Sequence, residues 1–355
     1  MWTRTLLTLL SLYYLSWVHG YPLQDCRSSK SEIKWIRQQP ENDPSWQQQR
    51  RKLTSPAGVN NLCLTQSVED AKKDAWKFLR THIIAFDEPM LETLGFGTDI
   101  DAPDGLQEGL IEPTIEYALK SKELYPWADA LPQDLFYEYV LNYANVNEAR
   151  SNWRPLIWGN LNPLIPSTGQ KLPVNDVVRL VNQHLWNSFS TPGTIYFKSG
   201  QTPLIFDPFS VIVYGYGSCT GLAILFVNAL RTVGVAARLV GTPAWNGLRE
   251  KGNHNWVEVY DFDYDDPFGG EWKFLEPSAN QTKVNDLSTK PCENWFCNPD
   301  RFPPSDSSNA TPVFAARLVF GGGNKVHYPM AWERNNKDVP GENRTDYYST
   351  VCSQC

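Results

Sequence analysis

Cys219 sits in Tyr216-Gly217-Ser218-Cys219-Thr220-Gly221, directly ahead of an apolar stretch with helical texture. A thiol at a helix start meets unpaired backbone N–H groups and the positive end of the helix dipole. Both lower its pKa and favour the nucleophilic thiolate. The glycines on either side let backbone or substrate come close. Taken alone, a structural cysteine packed at a helix start is the competing reading. His254 shifts the balance. It lies in Gly252-Asn253-His254-Asn255-Trp256-Val257, at the mouth of a strand after a Gly/Asn-rich loop, where a base can reach a thiol on a neighbouring helix. His82 and His184 instead fall inside helical patterns. Cysteine catalysis needs such a base and a third group that fixes the imidazole tautomer. Glu276, at the end of Trp272-Lys273-Phe274-Leu275, is placed for that role, and Asn280 is the alternative orienter. The chemistry these residues could do is acyl transfer at a carbonyl carbon.

The elements that must position them can be read from spacing. Residues 221–233 form an apolar helix stopped by Gly234, followed by strands at 235–241, 255–260 and 272–275. The acidic stretch 261–270 reads as a hairpin loop. Its Asp261, Asp263, Asp265 and Asp266 begin like a calcium loop, but Asp266 stands where Gly is needed and Trp272 where Glu is needed, so a solvated tip is the better reading. Upstream, helical patterns appear at 115–124, 134–143 and 174–189. Ser67 with Asp70 suggests a capping-box start for a helix carrying Val68, Ala71, Ala75, Leu79 and Ile83. Residues 86–109 read as loop, 193–207 as turn and strand, and 313–320 as a further strand.

Three blocks in this order resemble the transglutaminase-like superfamily, whose core is papain-like. They are the Gly-x-Cys helix leading into ALRTVGVAARLVGT, the His-x-Trp-Val-Glu-Val strand, and a Trp-containing strand ending in an acid followed by Pro-Ser. The resemblance implies an α+β fold: a papain-like transglutaminase core in which the helix bearing Cys219 packs on an antiparallel sheet bearing His254 and Glu276, with an N-terminal helical extension. It implies nucleophile, base and orienting roles for Cys219, His254 and Glu276. The family pattern ends its third block in Asp-Pro-Thr or similar, whereas this chain has Glu276-Pro277-Ser278, one methylene longer. Weaker likenesses run from Leu131 through Trp153-Arg154-Pro155 and at Tyr328-Pro329-Met330-Ala331-Trp332. An oxyanion hole would use the N–H of Cys219 and a second donor, for which Trp153, Trp158 and Gln201 are candidates. Trp245 and Trp256 are expected to wall the site.

Residues 1–20 read as a secretory signal, with Arg4 ahead of an apolar run from Leu6 to Val18 and a small residue at Gly20. The domain reading continues with an N-terminal arm at 21–66, the helical extension at 67–190, the catalytic core at 191–285 and a C-terminal Cys-containing segment packed on the core at 286–355. Sequons at Asn280, Asn309 and Asn343 fit secretion. Of seven cysteines, Cys26 and Cys63 flank the arm, Cys292/Cys297 and Cys352/Cys355 form close pairs, and Cys219 stands alone. Three disulfides and one free thiol is the simplest count, with connectivity open and zinc binding by the four C-terminal cysteines as an alternative.

The chain has 355 residues, 41% of them hydrophobic, which is too apolar for disorder. Its net charge of −7 argues against nonspecific nucleic-acid binding. No stretch is apolar enough to span a membrane, and no Walker, dinucleotide or His-rich zinc motif is present, so no metal or cofactor is expected and calcium is unsupported. The aromatic content is high, with 14 Trp, 16 Tyr and 16 Phe against 3 Met. Trp35, Trp46, Trp76, Trp127, Trp186 and Trp295 have no assigned role. The expected protein is a secreted, cysteine-dependent enzyme that hydrolyses peptide or carboxamide bonds in an extracellular protein or peptide. A cross-linking transglutaminase and a catalytically inactive binding or structural module are the alternatives.

Overall fold

Helix α7 (Cys219–Thr232) is the organising element, and its sequence explains why. Every residue from Thr220 to Thr232 is buried, including Leu222, Ile224, Leu225, Phe226 and Leu230. A helix that is apolar all round has no face to offer water and must be covered on every side. Each fully buried side chain of this size contributes about 1.5–3 kcal/mol relative to exposure. The helix ends where Gly234 takes φ +78, a left-handed conformation that glycine adopts without strain.

The structure is a computed structural model describing residues 56–97, 109–166, 170–189, 193–321 and 325–355, with side chains from Val68 onward. The signal read at 1–20, Cys26 and the Cys63 side chain lie outside the described residues. Preceding α7 are α1 (Pro56–Thr81), α2 (Ile111–Leu124), α3 (Gln133–Tyr139), α4 (Trp153–Leu161), α5 (Val174–His184) and α6 (Pro208–Tyr214). Helix α1 opens at Pro56, so the Ser67/Asp70 capping box is not used: Ser67 lies inside the helix, and proline pre-sets the backbone of its first turn. From Trp76 onward the chain forms one compact unit.

Two strands, β1 (Tyr196–Phe197) and β2 (Tyr216–Gly217), pair in parallel just ahead of α7. The main sheet contains β3 (Ala237–Thr242), β4 (His254–Asp263), β5 (Asp266–Leu275), β6 (Phe314–Ala316) and β7 (Gly341–Asn343) in the order β5-β4-β3-β6-β7. All its pairings are antiparallel. Strands β4 and β5 run through most of the stretch expected to be a loop at 261–270, turning tightly between Asp263 and Asp266. The acidic side chains serve the hairpin: Asp263 accepts from the Asp265 N–H, Asp266 from the Gly269 N–H, and Asp261 from Lys273 at 2.8 Å. Helix α8 (Thr345–Cys352) closes the chain. Helices α4, α6 and α8 fall where spacing gave no helix, since each is short or rich in bulky aromatic residues.

The centre of the sheet is buried on both faces. Strand β3 is fully buried along its length, and β4 from His254 to Tyr260. Helix α7 packs against β3 and β4 from one side. The other side carries Val240, Trp245, Trp256 and Phe274, covered by Phe296, Cys297, Phe302, Tyr348 and Cys352 of the C-terminal segment. That segment is fastened by disulfides Cys292–Cys355 and Cys297–Cys352, so each bond joins one member of each close pair. Bonding in this way excludes zinc at the four cysteines. The architecture is α+β, with a helical N-terminal region ahead of the helix-on-sheet core.

A buried cluster pins the C-terminal segment to the sheet. Cross-strand partners Arg238 and Glu258 form an ion pair at 2.7 Å with both side chains wholly buried. Glu258 also accepts from Arg344 at 3.1 Å and from the Tyr348 hydroxyl at 2.8 Å, while Arg238 reaches Glu342 at 2.7 Å. Buried charges are tolerable only when paired and hydrogen-bonded in this way.

Candidate active site

Cys219 is the first residue of α7, and it is the one free cysteine among the described residues, half-buried. The first main-chain hydrogen bond of the helix runs from the Leu222 N–H to the Ser218 carbonyl. The N–H groups of the opening turn therefore point unpaired toward the sulfur's surroundings. Ser218 caps nothing; its hydroxyl instead meets that of Thr202 at 2.5 Å.

His254 opens β4, one strand away from the helix start. Its Nε2 lies 2.5 Å from Glu276 Oε1, at the end of β5. The Cys219 thiol and the His254 imidazole interact closely enough that each shifts the pKa of the other. Cys219, His254 and Glu276 thus line one site. Burial pushes the Cys219 thiol up, but its bond and charge interaction with His254, and a bond from the Asn255 backbone N–H, outweigh this and lower it below its ordinary 9.0. Burial pushes His254 down, but the adjacent Glu276 carboxylate and the bonds to Cys219 and Glu276 raise it to about 10. Both shifts favour the thiolate and imidazolium forms of the pair. Aromatic rings box the imidazole: Trp295 at 4.9 Å, Phe296 at 5.3 Å, Trp256 at 5.7 Å and Trp245 at 6.2 Å between centroids. Such faces favour the cationic form.

The longer Glu276 is accommodated because its backbone is fixed from behind. Asn182 of α5, itself buried, donates to the Glu276 carbonyl at 3.3 Å and to Ser278 Oγ at 3.0 Å, and accepts from the Ser278 N–H at 2.8 Å. The carboxylate also accepts from Trp295 Nε1 at 3.0 Å. A second buried network locks the helix start to the strand. Thr220 donates to Asn255 Oδ1 at 2.8 Å, and Asn255 Nδ2 donates to the Tyr328 hydroxyl at 2.5 Å. It exists only because residue 241 is glycine: a Cβ there would lie 2.1 Å from Asn255 Nδ2 and 2.7 Å from the Tyr328 hydroxyl. Burial, and the nearby Cys219 charge, push the Tyr328 phenol far up.

The site opens into a cleft of about 940 Å³, lined on one wall by Phe197, Gly200 and Thr202 and on the other by Ala279, Asn294 and Trp295. Phe197 and Trp295, which line it, are 54% and 55% exposed, and Cys219 itself is half-buried. Other expected residues lie elsewhere. Asn280 is exposed in a left-handed turn (φ 54), and Glu276 occupies the position next to His254 that Asn280 would need. Gln201 donates to the Ser199 carbonyl and does not line the cleft. Trp153 is buried under the Arg154 guanidinium, and Trp158 packs on Tyr117 and Tyr125. None of these three is among the residues lining the cleft. Trp245 and Trp256 stand behind His254 rather than on the cleft surface, with Trp256 Nε1 donating to the Tyr348 hydroxyl at 2.7 Å. Spacing did not point to Asn182, Asn255, Tyr328 or Trp295. Each acts across a long sequence separation, and only Tyr328, in the weaker likeness at 328–332, and Trp295, one of the unassigned tryptophans between two cysteines, carried any signal.

Asn280, Asn309 and Asn343 are all exposed. Among the described residues, no group of three His, Cys, Asp or Glu could hold a metal ion, and no helix is long and apolar enough to cross a membrane.

Residues 168–277 match the family model described as Transglutaminase-like superfamily. The matched segment contains Cys219, His254 and Glu276 and ends before Trp295 and Tyr328. A solved structure of a candidate cysteine protease from Cytophaga hutchinsonii is similar at 13% identity, with a TM-score of 0.24, over 54% of this chain and 57% of that one. The shared part is thus little more than half the length of either protein. No curated protein matches the chain. The family match supports cysteine-dependent chemistry in general terms.

Proposed function

We propose that the protein is a secreted cysteine-dependent acyl-transfer enzyme of transglutaminase-like type that hydrolyses peptide or carboxamide bonds. One observation carries this reading: an unpaired Cys219 at a helix start interacts with His254, whose Nε2 meets Glu276 at 2.5 Å, and all three line one cleft. The Cys219 sulfur attacks the carbonyl carbon. As the tetrahedral species collapses, the C–N bond breaks and His254 gives its proton to the departing nitrogen, leaving a thioester. The Cys219 backbone N–H is one donor for the oxyanion. His254, now neutral, takes a proton from water as its oxygen attacks the thioester. The acid leaves, and thiolate and imidazolium are restored.

Glu276 keeps the imidazole in the tautomer and orientation that present its other nitrogen to sulfur. Two disulfides, and exposed asparagines in all three sequons, support an extracellular setting. The open cleft supports water as the acceptor, because transfer to an amine succeeds only where water is kept from the thioester. The free Cys219 weighs against an inactive module.

Iodoacetamide labelling at pH 6 tests the reading. Selective modification of Cys219, lost in His254→Ala, is expected. Labelling no faster than an ordinary thiol would sink it. Release of new amino termini or ammonia, measured against incorporation of a fluorescent amine into casein, separates hydrolase from transferase.

A further inference from the structure

Trp295 lies in the loop between Cys292 and Cys297, outside the segment that matches the superfamily, yet it touches both partners of the His254–Glu276 contact. Its Nε1 donates to Glu276 Oε1 at 3.0 Å, the same oxygen that His254 Nε2 meets at 2.5 Å. Its ring lies 4.9 Å from the imidazole, nearer than any of the three other rings around it. The ring is also held from the far side, with the Arg301 guanidinium 4.7 Å from its centroid and Trp245 packed edge-on at 6.3 Å. A tryptophan that leaves 55% of its surface in water gains little from burial. Its fixed place comes from directional contacts, and those converge on the acid of the site.

We infer that Trp295 is a positioning residue for acyl transfer: its indole N–H fixes the Glu276 carboxylate so that one oxygen faces His254, and the C-terminal disulfide segment thereby completes a site whose nucleophile, base and acid lie in the core. The inference rests on the proposed catalytic reading. Its physical basis is the freedom of glutamate. Glu276 has one more rotatable bond than an aspartate, and the Asn182 bonds fix its backbone but leave its carboxylate free to turn. The Trp295 N–H removes that freedom. A carboxylate with a second donor holds one geometry, and the imidazole it orients keeps its other nitrogen on sulfur. Disulfides Cys292–Cys355 and Cys297–Cys352 hold the loop on either side of Trp295 against α8.

The test is the pH profile of Cys219 alkylation by iodoacetamide in full-length protein, comparing wild type, Trp295→Phe, and protein carrying benzothienylalanine at position 295. The last keeps the shape of indole and removes only the N–H, so it carries the test if the phenylalanine variant folds poorly. Losing the donor loosens Glu276, weakens its hold on the imidazolium and raises the thiol's pKa. The rate at pH 6 should fall roughly three- to tenfold in both variants, with the rate above pH 10 unchanged. A profile that matches wild type in the benzothienylalanine protein would overturn the role of the N–H, even if Trp295→Phe were slowed through loss of the ring. A wild-type Cys219 that titrates like a free thiol would instead overturn the catalytic reading and the Trp295 role with it, so the two failures are distinct.

Discussion

The segment 168–277 and the C-terminal segment from about residue 286 stand on opposite sides of the same histidine. The first supplies Cys219 at a helix start, His254 and Glu276 at strand ends, and Asn182 behind the acid. The second supplies Phe296, Tyr348 and Trp295, which close the sheet's other face and touch the base and acid from outside. Their bonding differs in kind. The core is tied by backbone pairing and an all-apolar helix, whereas the C-terminal segment has two three-residue strands and one short helix, and relies on two disulfides and the buried Glu258 cluster. The groups proposed to react sit at the ends of regular elements, and the residues that shift their pKa values lie in the same core segment, while the cross-linked irregular segment adds aromatic rings and the Trp295 N–H around them.

Replacing a reacting group should have the largest effect and should spare stability. Cys219→Ala is expected to remove at least about 10⁴-fold of activity, measured as kcat/KM on a cleaved peptide, while leaving the C-terminal disulfides intact. Retained activity would move the chemistry away from this cleft. The opposite pattern is expected for the clamp. Cys297→Ala with Cys352→Ala releases a link nested within the retained Cys292–Cys355 bond, so the loop it closes is short, and it should lower unfolding free energy by about 2–3 kcal/mol, read by denaturant titration. A stability change well under 1 kcal/mol would show that the segment holds to the sheet without its cross-link.

Glu276→Gln lies between the two regions. It keeps a hydrogen-bonding group beside His254 and removes the charge, so activity should fall by about 10²- to 10⁴-fold. The pH dependence states the sign. His254 is raised from its ordinary 6.5 to about 10, so its contribution to stability is complete below about 6.5 and is lost as pH rises through about 10. Cys219 is lowered from 9.0, so its contribution is complete above that value and is lost as pH falls through its value in the folded protein. The ion pair exists between those limits, and kcat/KM should decline above about pH 10, where His254 no longer protonates the leaving nitrogen. In Glu276→Gln that decline should begin at lower pH; an unchanged alkaline limb would remove Glu276 from the orienting role.

Smaller effects sharpen the comparison. Tyr348→Phe removes the hydroxyl that accepts from Trp256 and donates to Glu258, leaving both with a lost partner, and should cost about 1–3 kcal/mol in thermal or denaturant unfolding with little change in the alkylation rate at saturating pH. Asn280→Gln should change kcat/KM by less than about twofold, since exposed sites away from the contact chain contribute little. A loss comparable to that of Glu276→Gln would restore Asn280 as the orienter.

The linear sequence determined much of this. An apolar run after a Gly-Ser-Cys turn can only be a buried helix with its thiol at the start, and a histidine at a strand mouth and an acid at the next strand end follow from short, local spacing. The helix of 221–233 and the three strands after it were legible for the same reason: local hydrophobic pattern decides local structure. Strand β1 fell within the stretch read as turn and strand, whereas helix α6 and strand β2 were not legible, because each is too short to show a period. Which of Glu276 and Asn280 would face His254 was open in the sequence. The backbone decided it, turning Asn280 outward at φ 54 while Asn182, nearly a hundred residues earlier, held the Glu276 turn in place. Cysteine pairing was likewise beyond spacing, since only the packing of α8 against the 291–297 loop brings Cys355 to Cys292 and Cys352 to Cys297. The identity of each reacting group is a local property of the chain. Its protonation state depends on burial and on charges brought close in space, and only the tertiary structure sets those.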